Sequence, residues 1–178
     1  GDSNVDLPGW LIEMSGDGKT IAVGNSLDDN TNGNNAGSVN IFRLLEGSYQ
    51  PLGNTILLSN GGVGDNFGDS VALSVDGNIC LIGANNFNGI AGSNSGVAIV
   101  YRLSSDKEWI MMGNTIEGVS GGDKAGTSVD ISDNGDIIAV GAYLNDNING
   151  DSAGHVRMFE YNSNDERWYQ LGKTLNGE

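Results

Sequence analysis

The chain has 178 residues, 29 of them glycine, and a formal net charge of −15 at neutral pH. This length allows one domain with a sizeable core, and the 38% of hydrophobic residues, set in regular runs, argue against a disordered chain. The negative charge excludes a binder of nucleic-acid phosphates as the first interpretation and disfavours an anionic membrane surface.

The predicted elements recur three times along the chain. A doublet ending in glycine opens each copy, and its glycines Gly9, Gly68 and Gly126 are separated by 59 and 58 residues. The three doublets are Pro8-Gly9, Phe67-Gly68 and Ala125-Gly126. Three apolar runs that end in glycine follow them: IAVG at 21–24, CLIG at 80–83 and IAVG at 138–141. A fixed period of this kind indicates a repeat architecture, and we assign the repeats to residues 1–59, 60–119 and 120–178.

Each repeat offers four strand candidates and no window of helical period. In the second repeat, residues 70–74 alternate between apolar and small polar side chains, as a half-buried strand does. Asp76-Gly77 then predicts a tight hairpin turn, and residues 79–82 are apolar on both faces, as in a strand buried between sheets. A third strand follows, and a fourth runs from Trp109 through Met-Gly to Thr.

Four short antiparallel strands repeated at a fixed spacing predict an all-β fold of three four-stranded β-propeller blades. A β-solenoid is the alternative. Propellers close with typically 4–8 blades, so three blades would form a partial propeller or part of a larger ring. We therefore expect the terminal repeats to contact further blades or other protein chains, and we favour an excised piece of a longer protein.

The repeat resembles the FG-GAP repeat of integrin-α-like β-propellers, and more closely the secreted kind found in surface proteins of marine bacteria and algae. The resemblance is carried by Phe67-Gly68, Ser70-Val71, Asp76-Gly77 and Gly83-Ala84 in the second repeat. In the first repeat Gly9-Trp10 fits the Gly-Trp variant, and in the third repeat residues 154–159 and 168–172 fit the secreted kind. The resemblance implies a propeller blade. The proline of the GAP triplet is absent and the first hairpin is short, so integrin-type calcium binding at that hairpin is not implied.

The loop between the second and third strands is a candidate Ca²⁺ site in the first and third repeats. Oxygen-bearing side chains stand at every second position before a glycine, a pattern that suits an ion taking 6–8 oxygen ligands. The candidate ligands are Asp28, Asn30, Asn32, Asn145, Asn147 and Asn149. The second repeat has Phe87, Gly89 and Ala91 there and cannot bind in this way. The alternative is that these residues only build a long turn.

Three further side-chain positions suggest competing interpretations. Tyr49, Trp109 and Trp168 share one repeat position, which favours packing between blades over a sugar-stacking surface. Cys80 is predicted to be a buried, unreactive thiol. His155, the only histidine, is predicted to occupy a solvent-facing strand position rather than to bind a metal.

These observations favour a non-enzymatic, extracellular structural or adhesive module that contacts proteins. A calcium- or carbohydrate-binding propeller module is the alternative, and glycans are then further candidate partners. A glycoside-processing enzyme is less favoured, because no catalytic residue and no certain cofactor is evident in the sequence.

Overall fold

The computed structural model describes residues 11–178, and its strands form three antiparallel sheets. Pro8-Gly9 and Trp10 therefore lie outside the described residues. The first sheet contains β1 (Leu11–Met14), β2 (Thr20–Asn25), β3 (Ser38–Leu45) and β4 (Ser48–Pro51). The second contains β5 (Ser70–Leu73), β6 (Ile79–Ala84), β7 (Val97–Leu103), β8 (Trp109–Met111) and β9 (Ile116–Glu117). The third contains β10 (Ala125–Ile131), β11 (Ile137–Ala142), β12 (His155–Asn162) and β13 (Arg167–Asn176).

Each sheet is a meander in which consecutive strands are hydrogen-bonded neighbours, except that β9 of the second sheet pairs with β7. The described residues contain no α-helix, and none of their segments is a helix able to cross a membrane. The predicted all-β fold of three four-stranded antiparallel blades is confirmed, and the sheets form an open array.

The predicted fourth strand is continuous only in the third repeat. In the second repeat it is divided into β8 and β9, which pair with the two ends of β7. In the first repeat β4 ends at Pro51 and pairing resumes at the single bridge between Val39 and Ile56. The glycines in the interruptions, Gly53 and Gly113, both have φ of 80°. Gly172, with φ of 72°, has the same left-handed conformation within β13, where it lies at a shift in the register with β12.

A serine closes the first hairpin of every repeat. In the second repeat the Ser74 hydroxyl donates to the Asp76 carboxylate at 2.7 Å and accepts the backbone N–H of Ile79 at 3.0 Å. Gly77 follows the turn with φ of 64°, which is the left-handed residue that such short hairpin loops require. Ser15 and Ser132 make the same backbone contact in the other repeats.

Two hydrophobic layers hold the sheets face to face. Along β7, Val97 and Ile99 belong to the layer shared with the first sheet, while Ala98 and Val100 belong to the layer shared with the third. Because successive strand residues point to opposite faces, the second sheet is buried on both sides. This explains the unbroken apolar run at 79–82, and Cys80 within it is fully buried as predicted.

Candidate functional site

The doublet that opens a repeat packs into a groove of the preceding sheet. Phe67 donates its N–H to the Ala36 carbonyl oxygen at 3.0 Å and forms a parallel bridge with Gly37. Ala125 repeats this contact, donating to Ser95 at 2.9 Å and bridging to Gly96. We call this the doublet groove. Phe67 and Ala125 are both 0% exposed, so the doublet is a central part of each contact between sheets.

Glycine is required in the wall of the doublet groove. Gly37 and Gly96 have φ of 84° and 76°, which L side chains rarely adopt. A Cβ on Gly96 would also collide with the Ala125 backbone, and one on Gly37 with the Phe67 backbone. The repeated small-Gly start of the third strand is therefore a docking feature rather than only a turn.

The predicted packing role of the tryptophans is confirmed. Trp109 donates its indole N–H to the Leu52 carbonyl oxygen at 2.8 Å, and its backbone N–H to Asn54 Oδ1 at 2.9 Å. Trp168 makes the same two bonds, both at 2.8 Å, to Met112 and Asn114. Both side chains are only 4% exposed, so they are not available for sugar stacking. Tyr49, which has no preceding sheet within residues 11–178, is 41% exposed.

Asn54 and Asn114, which accept the backbone N–H groups of these tryptophans, were not predicted from the sequence. Their signal was present, because Asn follows Gly53 and Gly113 in the repeated Leu/Met-Gly motif. In the third repeat the equivalent position is Lys173, which has no acceptor atom in its side chain. The outward side of the third sheet therefore differs from the two docking sites before it.

The outward face of the third sheet carries exposed apolar side chains at positions that are buried in the second sheet. Their exposed fractions lie between 36% and 61%, for Val156, Met158, Leu171 and Leu175. The second-sheet equivalents, Ala98, Val100, Met112 and Ile116, are at most 8% exposed. Beside this face lies a cavity of about 400 Å³ lined by Ser128, Gly141, Gly154, His155, Val156 and Leu175, among others. It is the third repeat's doublet groove, because Gly154 is equivalent to Gly37 and Gly96.

His155 and Arg157 are buried, and the prediction that His155 faces solvent is wrong. Their exposed fractions are 7% and 9%, because they occupy the positions at which Val97 and Ile99 face the first sheet. Arg157 donates to the Glu117 carbonyl oxygen at 2.5 Å, and its guanidinium lies over the ring of Phe159 at 5.3 Å from the ring centre. The interface between the second and third sheets is therefore more polar than the one before it.

Burial and charge around His155 favour its neutral form. Burial lowers the pKa of His155, the Arg157 guanidinium lowers it further, and Asp123 opposes both. Burial also lowers the pKa of Arg157. Asp123, 1% exposed, accepts the backbone N–H groups of Val119 and Ser120 at 2.9 Å each. These groups form a buried polar cluster and not a metal-binding arrangement: among residues 11–178 no group of three or more His, Cys, Asp or Glu side chains is placed to hold a metal ion.

The candidate calcium loop of the first repeat is closed by its own side chains. Asn30 Oδ1 accepts the N–H of Asn32 at 2.8 Å, and the Asn30 amide donates to the Gly37 carbonyl oxygen at 2.8 Å. The Asn32 amide donates to Leu58 at 2.9 Å, and Asp28 Oδ1 accepts from Asn25 at 3.3 Å. These contacts support the turn interpretation, and calcium binding stays a prediction.

The loop of the third repeat has the same internal bonds. Asn147 Oδ1 accepts the N–H of Asn149 at 2.9 Å, and its amide donates to Gly154 at 2.7 Å. Asn149 donates to the Gly177 carbonyl oxygen at 2.7 Å. Asn145 is 4% exposed and donates to Asp123 Oδ1 at 3.0 Å. The structure thus separates Asn145, which joins the buried polar cluster, from the two asparagines that shape the loop.

Comparison with known proteins identifies the repeat and supports the fold. The family model of the FG-GAP repeat matches residues 54–101, and no curated protein matches. A candidate 6-phosphogluconolactonase of Bacteroides fragilis is 15% identical, with a TM-score of 0.61 over 96% of this chain and 39% of its own. One of Bacteroides uniformis is 13% identical, with a TM-score of 0.63 over 100% of this chain and 43% of its own.

A Lactobacillus plantarum protein is 13% identical, with a TM-score of 0.55 over 96% of this chain and 42% of its own. The chain thus spans about two fifths of the length of each of these structures. At these identities the likeness concerns the fold alone.

Proposed function

Since the chain carries an FG-GAP repeat within a β-propeller-like array of sheets, we propose that it is a non-enzymatic structural module whose end sheets bind further blades or other protein chains. The observation that carries this proposal is the outward face of the third sheet. Met158 and Leu171 are exposed there, whereas the equivalent Val100 and Met112 are buried by the next sheet. Exposed apolar surface of this kind typically marks an interaction site.

We infer an extracellular or cell-surface, adhesive role from the resemblance of the repeat to those of secreted surface proteins. The net charge of −15 agrees with a soluble, exposed module. Polar side chains of the described loops are used mainly to close turns and to join sheets, as Asn30 and Asn54 show. That arrangement serves a scaffold that presents loops and faces to partners.

A fourth blade appended to the chain tests the proposed binding face. We would fuse a second copy of residues 60–119 after Glu178, which continues the repeat register and places its Phe67-Gly68 doublet next to the open doublet groove. We expect the melting temperature of the chain to rise by several degrees, because the third sheet gains an apolar neighbour.

The control is an extension of equal length built from Gly and Ser, which stays flexible and has no face to dock. A melting temperature that is the same for both fusions would contradict the proposal that the outward face of the third sheet binds blades.

The competing function is suggested by the names of the neighbours, two of which are candidate 6-phosphogluconolactonases. We expect no turnover of this lactone, nor of glycan, ester or phosphate substrates, because catalysis needs different polar groups converging in one pocket. Reproducible hydrolysis that is lost on substitution of one Asp or Glu would overturn the non-enzymatic assignment.

A further inference from the structure

The two contacts between neighbouring sheets differ in the side chains at one pair of strand positions. At the first contact, between the first and second sheets, these positions hold Val97 and Ile99, which are 1% and 3% exposed. At the second contact, between the second and third sheets, they hold His155 and Arg157. A titratable side chain and a cation are therefore buried where the first contact has apolar groups.

His155 and Arg157 are only partly hydrogen-bonded within the second contact. His155 Nε2 and Arg157 Nε are buried, and neither has a hydrogen-bond partner among residues 11–178. Arg157 is held beside β9, because its Nη2 donates to the Glu117 carbonyl oxygen at 2.5 Å. A proton taken up by His155 would thus place a second positive charge near a fixed cation and away from water, which costs free energy.

Asp123 is the charged group that opposes this cost. It precedes β10, is 1% exposed and accepts the side-chain amide of Asn145 at 3.0 Å. Burial and the Arg157 guanidinium nevertheless lower the pKa of His155 more than Asp123 raises it. The neutral form of His155 is therefore favoured while the sheets are in contact, and the charged form is favoured more once water reaches the ring.

The other charged side chains near the second contact are directed elsewhere. The Glu117 carboxylate accepts the N–H of Ile90 at 2.9 Å, and the Lys124 ammonium donates to the side-chain oxygens of Asn86 and Asn94. β11 contains no titratable residue, and tyrosines stay neutral near pH 6. The remaining charged residues of β7, β10, β12 and β13 are exposed: Arg102, Asp130, Glu160, Arg167 and Lys173.

We propose that His155 makes the second contact sensitive to pH: its protonation in mild acid opens the contact between the second and third sheets, while the first contact stays closed. Opening exposes the apolar layer that contains Val100, Ile116 and Trp168. The second contact lies inside the array, so its opening does not depend on the binding face proposed for the third sheet.

Buried carboxyl groups make the first contact respond to acid in the opposite sense. Burial raises the pKa of Asp65, which is equivalent to Asp123, and of Asp69, which bonds to Ser26 of the first repeat. These groups bind protons more readily when the contact is closed, so mild acid does not weaken it. His155 binds its proton more readily when the contact is open, so the second contact is stable above a pH of about 6.5 and loses stability below it.

Amide hydrogen exchange tests the proposal, because it measures local opening at single residues. We would record it by NMR on the 178-residue chain at pH values of about 7.5 and 5.5, corrected for the intrinsic exchange rates. Two N–H groups cross each contact and form matched pairs. Those of the second contact belong to Ala125 and Trp168, and those of the first belong to Phe67 and Trp109.

We expect the protection of Ala125 and Trp168 to fall by up to about tenfold between the higher and the lower pH, because the open contact binds one more proton over this interval. The protection of Phe67 and Trp109 should not fall. An equal loss at all four positions would indicate general unfolding and overturn the proposal, as would the absence of any loss at the second contact.

Two variants assign the effect to His155. His155→Gln keeps a polar side chain that does not titrate, and His155→Val introduces the residue that the first contact has at this position, Val97. In both variants the protection of Ala125 and Trp168 should no longer depend on pH. If one variant does not fold, the other gives the answer. A loss of protection that persists in a folded variant would overturn the assignment to His155.

Discussion

Trp168 joins the third sheet to the second through its indole N–H, which donates to the Met112 carbonyl oxygen at 2.8 Å. We expect Trp168→Phe to lower the free energy of unfolding by about 2–3 kcal/mol, because a buried acceptor loses its donor and the smaller ring fills less space. Urea denaturation measures this change. Tyr169→Phe removes a hydroxyl at a 49% exposed position and should cost under about 0.5 kcal/mol; equal costs would contradict the anchoring role of Trp168.

His155 makes the stability of the sheet array depend on pH. Its pKa in the folded chain is lower than the value of about 6.5 expected in the unfolded chain. Near this pH the unfolded state therefore binds more protons than the folded state. By linkage, the free energy of unfolding should therefore fall as the pH decreases from about 7.5 to 5.5.

Urea denaturation at several pH values measures this slope, and His155→Gln is the variant to compare. The glutamine does not titrate, so its curve should be flatter over the same interval. A slope unchanged by this substitution would show that groups other than His155 cause the dependence.

Calcium binding at the two asparagine-rich loops is tested by its effect on thermal stability. If Asp28 and the loop oxygens bind the ion, millimolar calcium should raise the melting temperature by mass action on the folded state. Asp28→Ala should remove part of the rise, and a chelator should reverse it. Equal melting temperatures with calcium and with chelator would leave Asn30 and Asn147 as loop-closing residues only.

The burial of a single side chain was predictable where its residue type is usually found in one environment. It was not predictable where a polar side chain occupies a buried position. An aromatic residue recurring at one repeat position indicated packing, and Trp109 and Trp168 do pack between sheets. His155 indicated solvent exposure by its polarity, yet it is buried, as is Arg157 on the same strand. Their strand phase, which equals that of Val97 and Ile99, was the signal that could have shown it.

At the scale of the element, the doublet groove depends on glycine for two separable reasons. Gly96 and Gly122 both have positive φ, 76° and 87°, but only Gly96 faces the backbone of the next sheet; around Gly122 nothing lies within 4 Å of an added Cβ. We expect Gly122→Ala to cost about 1–2 kcal/mol from the left-handed conformation. Gly96→Ala should cost clearly more, about 3 kcal/mol or above, since the sheets must also separate.

Thermal and urea denaturation of both alanine variants give the two costs. Similar values would mean that the groove relaxes around an added methyl group and does not require glycine for close approach.

The strands themselves were largely predictable, because each carries its own pattern. Alternation indicated β5, unbroken apolarity indicated β6, and Gly77 in the turn between them has the positive φ expected of such a turn. The interruption of the fourth strand was not predictable, since Gly53 and Gly172 stand in similar motifs but only the third repeat keeps a continuous strand. That difference depends on pairing with the neighbouring third strand.

At the scale of the whole molecule, the repeat period predicted the number of sheets, and the structure shows which sheet positions meet. A doublet and a groove separated by about 30 residues of sequence, such as Gly37 and Phe67, cannot be paired from one repeat alone. The contact between doublet and groove forms only once two sheets lie face to face. The sequence therefore indicated a propeller-like array without indicating that its two ends are chemically different.

This difference between the ends gives the array a direction, and the ribosome makes the chain in the same direction. Both doublets that dock within residues 11–178 are synthesised after the groove that receives them: Gly37 precedes Phe67, and Gly96 precedes Ala125. A newly emerging repeat therefore meets a finished template, and it can be added to the growing array before its own groove has been translated. Folding during synthesis generally proceeds from the amino terminus, and unpaired strand edges make partly folded chains prone to aggregate. The polarity of docking thus makes the protein suited to being built blade by blade from its amino terminus.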